Sequence, residues 1–89
     1  MAYADVQLEA PEFGLTKEAP ADELHRLGLI YAEGLGVGVD IVAAHKWFNI
    51  AAIKGSTRAA ELRSELSVSM SKADIAKALR EAREWMTMH

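Results

Sequence analysis

From position 21 onward the apolar residues recur at helical spacing. Leu24, Leu27, Gly28 and Tyr31 follow the i, i+3, i+4, i+7 rule and so share one face, which predicts a first helix over 21–33. Pro20 before it suits a first turn, where a missing amide is no loss. Asp40 then offers a carboxylate to the unpaired amides of a second helix over 40–54, whose buried stripe is Ala44, Trp47, Phe48, Ala51 and Ala52. Gly55 supplies the left-handed residue that ends it. A third helix over 56–67 turns Ala59, Leu62 and Leu66 inward. Ser71, with Asp74 three residues on, forms a capping box in which Asp replaces the usual Glu, and opens a fourth helix over 71–87. There Ile75, Ala78, Leu79, Ala82 and Met86 share a face, with Trp85 at its margin. No stretch alternates with a period of two, so the pattern predicts an all-α domain over 21–89. Residues 1–20 behave differently: Pro11, Gly14 and Pro20 punctuate them, and Val6, Leu8, Phe13 and Leu15 are scattered, predicting an extended N-terminal arm.

The link between the first two helices, "YAEGLGVGVD", carries Gly34, Gly36 and Gly38 at alternate positions. A dinucleotide fingerprint needs a strand before its first glycine, and a P-loop needs Lys-Ser or Lys-Thr after its last. Neither context exists here. The glycines are predicted to let two antiparallel helices turn sharply, taking φ values that other residues avoid.

Leu27, Gly28, Tyr31, Gly34, Gly36, Asp40, Ala44, Trp47, Ala51, Ala52 and Gly55 stand in register across residues 23–59. In this spacing the chain resembles the Sel1-like repeat, a relative of the tetratricopeptide repeat. The resemblance covers somewhat under half of the sequence. It implies an α/α hairpin of a bacterial type, stacked on its neighbours in a short solenoid, with the small residues Gly28, Ala44, Ala51 and Ala52 allowing close approach. It also implies an adaptor or scaffold that binds proteins rather than an enzyme. Counted from Gly55, a second repeat is degenerate: Ala59 fits, but Arg63, Ser64 and Ser67 stand where Leu, Gly and Tyr are expected. One good repeat must be closed by other means, because such hairpins bury their apolar faces on one another. The fourth helix, the arm or a second copy of the chain is each suited to do so.

At 89 residues the chain has the size of one domain, and 51% hydrophobic with 26% charged residues is the make-up of a folded protein. Ten Lys and Arg against thirteen Asp and Glu give a net charge of −3 with no basic run, which argues against a nucleic-acid partner. Without cysteine there is neither a disulfide nor a thiol nucleophile. Acidic residues and the lack of a long apolar run in the first twenty positions do not fit a secretory leader, and no segment suits a membrane span, so a cytoplasmic location is expected. His25, His45 and His89 are scattered, so no metal, cofactor or small-molecule substrate is expected. Ser69 to Lys72 spells S-x-x-K, but the companion motifs of penicillin-recognising enzymes are missing, which leaves a serine hydrolase as a remote alternative.

If Leu24, Leu27, Gly28 and Tyr31 face inward, Leu29 and Ile30 lie on the flanks of the first helix. The expected function is therefore protein or peptide binding through the inner face of the first and third helices, with His25, Leu29, Ile30, Glu33, Arg58 and Arg63 as contacts. A self-associating homodimer is the alternative use of the same surfaces.

Overall fold

A computed structural model describes residues 10–88 of the chain. Four helices follow in order: α1 over Ala21–Glu33, α2 over Ile41–Ile53, α3 over Thr57–Ser69 and α4 over Lys72–Met88. Among the described residues there is no strand. Local chemistry accounts for the boundaries. The Asp40 carboxylate accepts the Ala43 amide at 3.0 Å, Ser56 Oγ accepts that of Ala59 at 3.1 Å, and Ser71 Oγ accepts that of Asp74 at 3.0 Å. At the end of α2, Gly55 takes φ 114°, and the amides of Ser56 and Gly55 reach the carbonyls of Ala51 and Ala52 at 2.9 and 3.0 Å. This double bond pattern is the Schellman closure, which satisfies carbonyls a helix end would leave unpaired.

Packing is organised around α2. Ala44, His45, Trp47, Phe48, Asn49, Ile50 and Ala51 are all buried, so this helix is covered over most of its circumference rather than along one stripe, with Ile53 left exposed. It packs against α1, α3 and α4 in turn. Against α1 the approach is closest at Gly28, where a side chain would meet the Phe48 ring; this is what the small residue is for. Against α4, Trp47 and Trp85 meet edge to face with ring centroids 5.2 Å apart. Trp85 is thus a core residue, whereas Leu79, placed on the inward face by periodicity, is 40% exposed. The α4 stripe is rotated toward Ala78, Ala82 and Trp85, because the large indole wins the place beside Trp47. α3 contributes least: Ala59 is buried, while Leu62 and Leu66 are half-buried against the core.

Residues 10–20 are not extended. Successive turns form as the amides of Phe13, Leu15 and Ala19 bond the carbonyls of Ala10, Glu12 and Thr16 at 2.9, 2.9 and 3.0 Å, with Gly14 at φ 81°. Three ties hold this segment to the helices. Tyr31 donates its hydroxyl to Glu12 Oε1 at 2.7 Å, Lys54 Nζ donates to the carbonyls of Lys17 and Ala19, and Leu15 and Ala19 pack on the core. Phe13, by contrast, is 75% exposed. Val6 and Leu8, the other apolar residues of the arm, lie outside the described residues, as does His89.

Candidate functional site

The glycine loop is a fastened turn. Gly34 and Gly36 have φ 70° and 79°, the region that disfavours a side chain, while Gly38 does not. The amides of Gly34 and Leu35 bond the Ile30 carbonyl, and the Asp40 amide returns to the Tyr31 carbonyl at 2.9 Å. Three of the amides that would have to face a phosphate are thereby engaged within the protein. The loop instead presents Leu35 and Val39, 55% and 62% exposed.

Of the residues expected to bind a partner, His25, Leu29, Ile30 and Glu33 lie on α1, and Arg58 and Arg63 on α3. α1 and α3 each pack on α2, and the fold does not join them into one broad surface. Leu29 and Ile30 are half-buried and pack against the core, so they serve stability first. His25 is half-buried with its ring 6.0 Å from that of Phe48. Glu33 is exposed. Arg58 sits on the outer side of α3, paired with Glu61 at 3.0 Å and with Glu65 at 3.9 Å, the exposed kind of ion pair that adds little stability.

Arg63 has an internal role. It donates to Asn49 Oδ1, and one turn later Ser67 Oγ lies 3.0 Å from His45 Nε2 while donating to the Arg63 carbonyl at 2.9 Å. Arg63 and Ser67, which depart from the expected repeat spacing, are thus matched by the polar residues of α2 at the same i, i+4 spacing. With the Ser67 proton directed to a carbonyl, His45 Nε2 is the donor, so the neutral ring carries its proton on Nε2. Nδ1 then carries a buried lone pair with no hydrogen-bond partner. Burial, and secondarily the Arg63 charge, hold the His45 pKa below its ordinary value. Tyr31 is shifted the other way: burial first, then the Glu12 carboxylate that accepts its proton, raise its pKa well above the usual tyrosine range.

Sequence reasoning did not find a groove on the surface. A groove of about 360 Å³ runs between α2 and α4, lined by Asn49, Ile53, Leu79, Ala82, Met86 and the rim residue Arg83, with Thr87 at one end. Its walls are mostly apolar, and Ile53 and Leu79 on its edges are 58% and 40% exposed. Arg83 makes no ion pair among the described residues. The only early sign of this groove is that Ile53 and Leu79 are large apolar residues next to polar ones. A smaller cleft of about 160 Å³, lined by Pro11, Leu15, Glu23, Arg26, Leu27 and Ile30, lies where residues 10–15 meet α1.

Other chemistry is sparse. Ser69 Oγ donates to the Leu66 carbonyl at 3.3 Å, and the neighbouring Ser71 caps α4, so Ser69 and Lys72 are exposed residues at the end of α3 and the start of α4. Among the described residues no three His, Asp or Glu side chains converge as they would around a metal ion. No helix of the described residues is long and apolar enough to cross a membrane. No protein-family model, curated protein or solved structure matches this chain.

Proposed function

We propose that this chain is a non-catalytic protein-binding module of the Sel1-like kind, and that it takes an apolar anchor of its partner into the groove between α2 and α4. The observation that carries the reading is the groove itself, about 360 Å³ of mainly apolar space with Ile53 and Leu79 left in solvent on its edges. Isolated exposed apolar residues are ordinary, but two of them flanking one cleft with an adaptable methionine are the anatomy of an anchor site. Arg83 at the rim selects a partner segment with an acidic residue near its anchor. The polar side chains inside the fold support a structural rather than catalytic reading, since Tyr31, Asn49, Arg63 and Ser67 are each engaged by a neighbour. The α2–α4 groove is favoured over the face of α1 and α3, because Leu29, Ile30 and Arg63 are occupied by packing or by Asn49.

The test compares partner capture by the wild-type chain, by Ile53→Glu with Leu79→Glu, and by Glu33→Arg with Arg58→Glu, after circular dichroism shows equal helix content. Loss of capture in the first double variant alone is the expected result. Loss confined to the second would move the site to α1 and α3, and undiminished capture by both would end the proposal. A second copy of the chain is the competing occupant. Sedimentation at high concentration identifies it by a dimer that the Ile53 and Leu79 changes dissolve.

A further inference from the structure

α3 has the fewest fully buried apolar residues of the three helices around α2. Only Ala59 is buried on it, and Val68 is 88% exposed. Its side-chain bonds to α2 are the pair described above, His45 with Ser67 and Asn49 with Arg63. His45 is 2% exposed, its Nε2 proton is directed to Ser67, and its Nδ1 has no partner. A second proton on this ring would sit on a buried N–H whose one nearby acceptor is the residue's own backbone, a weak compensation, and would place a positive charge near the Arg63 guanidinium. A poorly paired buried donor and an uncompensated buried charge are each costly, and a single motion relieves both. That motion is separation of α3 from α2, which admits water to Nδ1 and moves Arg63 away.

We propose that α3 is an acid-released element: protonation of His45 undocks Thr57–Ser69 from α2 while α1, α2 and α4 stay packed together. The charged groups around the ring point the same way. From α3, Arg63 is the group whose charge bears on His45; Glu61 and Glu65 turn to solvent with Arg58 and offer no compensating carboxylate. On α2 itself, Lys46 lies over the Trp47 ring, 4.4 Å from its centroid. From α4, Arg83 lines the groove beside Asn49. From α1, His25 packs on Phe48 with its own Nε2 buried and without a hydrogen-bond partner, and serves as the control for His45. The contacts that keep the remaining helices together, Gly28 on Phe48 and Trp47 on Trp85, contain no titratable group.

The sign follows from linkage. A histidine held below its ordinary value of 6.5 binds fewer protons in the docked state than in the open one. Docking is therefore full strength above that pH and weakens as the pH falls through it. With one proton involved, the open fraction rises by at most about tenfold per pH unit, until the docked-state pKa is passed.

The experiment is hydrogen exchange with mass spectrometry on the full chain at several pH values from 7.5 to 5, corrected for intrinsic exchange. The expected result is a loss of protection in Thr57–Ser69, approaching about tenfold per unit below 6.5, with α1 and α2 protection unchanged. His45→Gln, whose amide can still donate to Ser67, abolishes the response, Arg63→Gln shrinks it, and His25→Gln leaves it intact. Protection of α3 that ignores pH, an equal loss in all four helices, or a full response in His45→Gln would overturn the proposal. Should His45→Gln fail to fold, the wild-type His45 ring is titrated by NMR. A midpoint below 6.5 that coincides with α3 opening supports the release, and a midpoint at or above 6.5 refutes it.

Discussion

Replacing Gly28 by alanine tests the closest helix approach in the molecule. An alanine Cβ at this position would lie 2.3 Å from both Cδ1 and Cε1 of Phe48 and 2.9 Å from its Cγ. Carbon atoms attract best at about 3.5–4.0 Å, so the overlap exceeds roughly 1 Å. Relief is difficult, because Phe48 is 1% exposed and its ring is enclosed by α1 and the rest of the core. Two effects oppose one another. Alanine in a helix interior gains about 1 kcal/mol over glycine. Overpacking a filled core costs about 1–3 kcal/mol, and an overlap of this size belongs at the upper end. The clash wins, and Gly28→Ala is expected to destabilise the fold by about 2 kcal/mol. For a domain of this size that is a fall in Tm of about 8–16 °C. Urea unfolding followed by far-ultraviolet circular dichroism measures it, with an unchanged m-value showing that the unfolded state is not responsible. A Phe48→Leu background should remove more than about 1 kcal/mol of the alanine penalty, as a double-mutant cycle reports for residues in contact. If Gly28→Ala proves as stable as the wild type, propensity dominates and the close approach is not what requires glycine.

Three further perturbations probe other parts of the argument. Asp40→Ala removes the carboxylate that accepts the Ala43 amide and is expected to lower stability by about 1 kcal/mol in urea; no change would mean the cap is replaced by water. Tyr31→Phe deletes the bond to Glu12 and should cost about 1 kcal/mol, with faster proteolysis before Pro20 as the local sign that residues 10–20 have lost a tie. Trp85→Ala empties the space beside Trp47 and should cost about 3–5 kcal/mol by thermal melting, a loss too large for a surface residue.

Much of the architecture was legible because it rests on short-range chemistry. Asp40 and Ser71 announce helix starts, and Gly34 and Gly55 mark helix ends, through bonds that span only a few residues, while the Ser56 cap of α3 went unread. The stripe template worked for α1 and failed for α2, since it presumes one buried face. Ile50, His45 and Asn49 are buried because α2 packs on three helices, a property of assembly rather than of periodicity. The choice between Trp85 and Leu79 was likewise set at a distance, by Trp47 on another helix. A signal for the polar cluster did exist. His45 and Asn49 on one helix, and Arg63 and Ser67 on the next, share the i, i+4 spacing of facing pairs, and reading them as complementary would have placed Arg63 indoors. For the groove no comparable signal was available, because its depth depends on how α4 leans on α2.

The meeting of the two indoles has a practical corollary. They are the only tryptophans in the chain, so its ultraviolet emission reports almost entirely on the junction where they touch. Quenching by iodide or a red shift would register when that junction loosens, yet the signal should stay quiet while a helix on another flank swings free. The molecule thus carries a built-in optical gauge that can tell partial opening from wholesale melting without any attached dye.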